Sequence, residues 1–207
     1  LAKQRKTDRP KAGVAPKKEG LRERKRRQTR QRIVEAGLKL FLANGFDATT
    51  LDAIAEAADI SRRTFFYYFK SKEDIVLAYQ SGSFERLRDT IVGESPDRPP
   101  LDVVRNALLK LTSTYSAEEM IPIDRLMIST ESLRARKQAS YVAQEQVLFA
   151  ALCELWPQPK RRVGLRIVAM VSIGAVRLSI EAWRQDGSKR PLKEYLQDAF
   201  ANLKAEI

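Results

Sequence analysis

Apolar residues along the chain recur at intervals of three and four, and no stretch alternates strictly as a half-buried strand would. Ile33, Val34, Gly37, Leu40 and Phe41 line one face of a helix that starts near Leu21. Asn44-Gly45 ends it, with Gly45 free to take the left-handed conformation that closes a helix. Leu51, Ile54, Ala55 and Ala58 form the inner face of a short second helix, and Thr49 or Thr50 can accept from the free N–H groups at its start. Asp59-Ile60 makes a tight turn. Ser61 then caps a third helix, Arg62 to about Phe69, whose Phe65 and Phe69 face inward. Ser71 caps a fourth, with Asp74 three residues on as in a capping box.

Gly93 to Pro100 breaks the pattern. Beyond it the periodicity predicts helices at 101–116, 122–131, 134–156, 160–186 and 191–205. Pro157 and Pro159 separate the third and fourth of these, and Gly187 and Pro191 the last two. The fold class expected is therefore all-α, with about nine helices. No run approaches the roughly 20 uncharged apolar residues of a membrane span, so no membrane partner is expected.

Charge changes this picture most. The chain of 207 residues carries a formal charge of +12, of which residues 1–32 hold +11. A basic arm on a near-neutral body suits a polyanion such as nucleic acid, although a solvated tail would have the same composition. Residues 1–20, rich in Pro, Gly and charge, are expected to be disordered. Arg22 to Arg32 adds seven cations on an incipient helix, among them Arg26 and Arg30, placed to flank a DNA backbone. Histidine is absent and Cys153 is the only cysteine. No zinc site of familiar ligands can be built, no catalytic residues stand out, and no cofactor or metal is expected. The lone cysteine fits a reducing cytoplasm. A start at Leu1 rather than Met reads as truncation or processing.

Two short helices around a tight turn are the skeleton of a helix-turn-helix. The ordered run "IVEAGLKLFLANGFDATTLDAIAEAADISRRTFFYYFKSKEDIVLAY", within residues 30–79, resembles the DNA-binding domain of the TetR family. Its "SRRTFF" segment is of the type found in actinobacterial regulators. The resemblance implies that Thr49 and Thr50 lie at the DNA, Thr50 capping the second helix and touching a phosphate. Arg62, Arg63 and Thr64 would open the recognition helix, where an Arg grips guanine O6 and N7 with two bonds. Tyr67 and Tyr68 would reach phosphates or bases, and Lys72 would bind a phosphate. Arg63 in a local ion pair and Tyr68 in half-buried packing are the competing structural readings. Phe66 stands where the family usually carries Tyr, so one phosphate hydroxyl is missing.

By the same resemblance, residues 21–82 form the DNA-binding domain and 83–207 an effector-binding and dimerisation domain. The helices near 160–186 and 191–205 would pair with their copies in a homodimer on a pseudo-palindromic operator. Tyr115, Met120, Met127, Tyr141, Phe149, Cys153 and Trp156 are candidate linings of a pocket for a small, largely apolar effector, or ordinary core. The function implied is a repressor released by such a ligand. A DNA-binding regulator or architectural protein without an effector is the alternative, and an enzyme carrying a helix-turn-helix is disfavoured.

Overall fold

The computed structural model describes residues 20–113 and 117–206, and every regular element in them is helical. The elements are α1 (Leu21–Asn44), α2 (Leu51–Ala57), α3 (Arg62–Tyr68), α4 (Lys72–Val92), α5 (Pro100–Thr112), α6 (Ala117–Ile128), α7 (Glu131–Leu155), α8 (Arg162–Gln185) and α9 (Leu192–Glu206). A single 3-10 turn, Pro159–Arg161, leads into α8. The disorder expected of residues 1–19 and the pocket role expected of Tyr115 lie outside the described residues.

The boundaries that differ from the periodicity by three residues or more all lie in α5–α7. α5 stops at Thr112, before residue 116. α6 starts at Ala117, and Pro122, expected at the helix start, lies inside it. As the sixth residue of α6, Pro122 removes the bond its N–H would have made to the carbonyl of Glu118, and the helix runs on through it. α7 begins at Glu131 because the Thr130 side chain accepts from the Leu133 N–H at 3.2 Å, a cap the apolar pattern does not register.

Two apolar cores share the long helices α4 and α7. The first gathers Ile33, Phe41, Ile54, Phe65 and Ile75 from α1–α4, together with Leu126 and Met127 of α6 and Leu133 of α7. The second gathers Leu87, Ile91, Val104, Leu148, Trp156, Leu165, Trp183 and Phe200 from α4 through α9. α4 contributes Ile75 and Val76 to the first and Leu87 and Ile91 to the second. The boundary drawn at 82/83 therefore falls within one unbroken helix.

Gly37 is where α1 meets α4. A Cβ there would stand 2.9 Å from Ile75 Cδ1 and 3.0 Å from its Cγ2, and Ile75 is fully buried. The absent side chain is what lets the two helices approach. An 18-residue window within Pro159–Gln185 has a mean hydropathy of 1.8, so this helix is by length and composition apolar enough to cross a membrane, which the absence of a long uncharged run did not suggest. Here its Leu165, Ala169, Ile173 and Trp183 are core of the helical bundle.

Candidate nucleic-acid interface and ligand cavity

The α2–α3 unit is built by short-range capping. Thr50 accepts from the Ala53 N–H at 3.1 Å and so starts α2. Ala58 closes it, and Asp59 turns the chain at φ 52°, a left-handed conformation that Asp tolerates better than most residues. Ser61 accepts from the Thr64 N–H at 3.1 Å and starts α3, its hydroxyl also bonded to that of Thr64 at 2.8 Å. Phe65 and Phe69 turn inward, fully and almost fully buried. Arg62, Arg63 and Tyr67 are left on the opposite, exposed face.

These exposed groups differ in freedom. Arg62 donates from Nη1 to both carboxylate oxygens of Asp52, at 3.2 and 3.0 Å. Arg62, not Arg63, makes the local ion pair. Arg63 has no hydrogen-bond or ion-pair partner among the described residues, which leaves its whole fork of donors available. Tyr67 is 67% exposed, whereas Tyr68 is half-buried and packs against the N-terminal core. The exposed stretch of α1 extends this face. Arg26 lies 5.9 Å from the Tyr67 ring and Arg30 lies 5.3 Å from the Phe69 ring. Cation–π contacts thus hold two arginines of α1 beside α3.

Two expected DNA contacts are corrected. Thr49 is 3% exposed, and its hydroxyl donates to the Gly45 carbonyl at 2.8 Å. It staples the α1–α2 loop and is not free for phosphate. The Lys72 ammonium donates to the carbonyls of Phe46, Asp47 and Thr49 at 2.7, 3.3 and 3.3 Å and sits 4.4 Å from the Phe46 ring. All three of its donors are spent inside the protein. The α4 cap is also altered. Ser71 makes no side-chain cap bond and its hydroxyl is buried without a partner. Asp74 instead accepts from the Lys70 N–H at 3.0 Å and pairs with Arg136 of α7 at 2.6 Å.

Between α4, α6, α7 and α8 lies a mainly apolar chamber of about 200 Å3. Met120, Met127 and Tyr141 line it, as expected, and so do Phe84, Ile180 and Trp183. Phe149 and Trp156 do not. Phe149 lies beneath the guanidinium groups of Arg162 and Arg166. Trp156 is buried, with its indole N–H donating to the Pro96 carbonyl at 2.9 Å. Cys153 packs against the second core. The reason is distance along α7. At about 1.5 Å of rise per residue, Phe149 and Trp156 lie roughly 12 and 22 Å beyond Tyr141.

Sequence reasoning missed the charges in this wall. Asp124 accepts from Lys137 Nζ at 3.0 Å and from Arg184 Nε and Nη2 at 2.8 and 3.0 Å. Burial pushes the Asp124 carboxyl up, but the Arg184 hydrogen bond and the Lys137 charge outweigh it and hold it below its ordinary range. Burial likewise raises the Tyr141 phenol, against the opposing charge of Arg184. One signal was available. Lys137 shares the inward face of α7 with Leu133, Gln144 and Leu148, where a lysine needs a buried partner.

Residues 33–79 match the family model described as bacterial regulatory proteins, tetR family. Residues 98–207, more than half of the chain, match that of the MftR C-terminal domain. The chain belongs to the TetR family. It is 34% identical over 118 residues to the transcriptional regulator TcmR of Streptomyces glaucescens, covering 57% of this chain and 52% of TcmR. It is 28% identical over 180 residues to the regulator MftR of Mycobacterium tuberculosis, covering 86% and 90%. Among solved structures, Thermus thermophilus FadR, a transcriptional repressor in complex with lauroyl-CoA, is 27% identical with a TM-score of 0.53, covering 83% and 91%. As a TetR-family member the protein is a DNA-binding transcriptional regulator.

Proposed function

We propose that this TetR-family regulator is a repressor whose hold on operator DNA is broken when a small, largely apolar ligand fills the chamber beside Tyr141. The observation that carries the reading is the position of Met127. It lines the chamber and is also 2% exposed within the core that supports α1–α4. A ligand that displaces Met127 acts directly on the packing behind the recognition helix. The Asp74–Arg136 ion pair is a second tie, joining the start of α4 to α7. Such coupling requires that the ligand favour one of two states, not merely that it bind. The chamber favours this reading over a regulator or architectural protein without an effector, whose helical body would be packed solid. FadR, solved with lauroyl-CoA, is a relative in which a ligand is bound.

The active form is a homodimer paired through α8 and α9, on a two-fold operator in the cytoplasm. Val163, Ile167, Met170 and Leu178 are 74%, 54%, 51% and 58% exposed along one side of α8. A stripe of that kind marks an association surface. Arg62, Arg63, Thr64 and Tyr67 read bases or grip phosphates, with Tyr68, Thr50, Arg26 and Arg30 at the flanks.

The test is a thermal-shift screen followed by a DNA-binding measurement. Among compounds that raise the melting temperature, the effector should weaken operator binding and should itself bind less tightly to the DNA-bound protein, because linkage makes that coupling reciprocal. Stabilising compounds that leave DNA affinity unchanged would sink the ligand-released reading.

A further inference from the structure

The chamber has a vestibule of opposite character. A cleft of about 370 Å3 on the far side of Lys137, Tyr141 and Ile180 shares these three residues with it. The cleft is also lined by Arg134, Arg177, Arg184 and Glu181. Four cations therefore meet Glu181 and, at the partition, Asp124. The balance is positive by two. Arg177 has no hydrogen-bond or ion-pair partner among the described residues, and Arg134 bonds only the Ile128 carbonyl, at 2.7 Å. The partition itself holds one carboxylate between two cations. Asp124 and Lys137 have side chains 11% and 9% exposed there, which strengthens their electrostatics relative to the surface.

Size adds a second constraint. The apolar chamber alone falls below the roughly 300–1,000 Å3 typical of small-molecule sites. An occupant of ordinary ligand size extends beyond the chamber, either past Phe84 and Gln144 into an apolar cleft of about 460 Å3 or across the partition into the basic cleft, and the charges at the partition favour the second for an anion.

We propose that the ligand is an anionic amphiphile, with its chain in the chamber and its head group in the cleft against Arg177 and Arg184. This rests on the ligand-released reading above. The head group competes with Asp124 for Arg184 and Lys137. Both cations keep a partner, and the cost falls on Asp124, a buried carboxylate that must leave the wall for solvent as it loses them. Asp124 lies on α6, Lys137 on α7 and Arg184 on α8, so the exchange loosens α6 from both neighbours. α6 is the helix that delivers Leu126 and Met127 to the core of the DNA-binding helices. The charge at the vestibule and the packing behind α3 are thus joined through one helix.

A carboxylate and a phosphate monoester offer the same chemistry, and matched ten-carbon probes separate them. Decanoate, decyl phosphate, decanol and decyltrimethylammonium, each below its micelle concentration, are titrated into the full-length protein bound to labelled operator DNA. At least one anion should displace the DNA at a concentration tenfold or more below that of decanol, and the cation should not displace it. The ratio of anion to decanol potency should fall severalfold in Arg177→Gln, an exposed position, and collapse toward one in Arg184→Gln. Using the ratio removes any change in basal DNA affinity. Equal potency of anion and decanol in the wild type, or an undiminished ratio in both variants, overturns the head-group assignment while leaving a ligand-released repressor standing. Anions that neither shift the melting temperature nor release DNA overturn it too. The repressor reading itself falls only if every stabilising compound leaves the operator bound.

Discussion

Arg63 and Lys72, both expected from the resemblance to meet DNA, sit in opposite surroundings. Arg63 projects from α3 with all its donors free, and Lys72 is locked to three carbonyls of the α1–α2 loop. Arg63→Ala should weaken operator binding by about 1–3 kcal/mol and relax preference at one base pair. Titrations against base-substituted operators check this, and an equal loss on random DNA would make Arg63 a phosphate contact. Lys72→Met should instead lower stability by about 1–3 kcal/mol, the cost of stranding half-buried carbonyls. A thermal melt without DNA checks it, and an unchanged melting temperature would restore Lys72 to the DNA. The sequence places polar residues at helix starts but not their direction. Thr49 and Thr50 are adjacent, yet one hydroxyl faces inward to Gly45 and the other caps α2. That difference is one of backbone rotation, which residue type does not encode.

Among the helices, α6, on which the proposed signal turns, was the least legible. Its apolar residues serve two cores and a chamber at once, so no single stripe stands out, and Pro122 suggests a start where there is none. α2 and α3 were legible because Thr50 and Ser61 cap them, and α1 because Gly45 ends it and its inner face is aliphatic and aromatic. The ion triad escaped notice because its members are 13 and 60 residues apart from Asp124, beyond any helical pairing rule. The triad has a pH signature. The Asp124 carboxyl is held below its ordinary value, so its stabilising contribution is complete above the unfolded value of roughly 3.9 and is lost as pH falls through the lower folded value. Wild-type stability should therefore fall more steeply below about pH 4 than that of Asp124→Asn, as followed by denaturant midpoints across pH. Parallel acid limbs in the two proteins would contradict it.

In the whole molecule, two recognition helices must be held about 34–36 Å apart to read successive major grooves. The α8 stripe supplies the proposed pairing surface, and its apolar character was readable before the fold was known. Which side of α8 stays exposed was not, because burial on the opposite side depends on α7 and α9. Ile167→Glu should place a charge in that surface, leave the helical signal intact and give a monomer by sedimentation. Its operator affinity should drop by more than tenfold, since each half-site then binds alone. The most direct test of the account is selection of bound sites from random DNA with the full-length protein. The account predicts an inverted repeat whose halves are centred about one helical turn apart, roughly 10–10.5 base pairs, or a multiple of it. An unenriched pool, or a single asymmetric site, would contradict it.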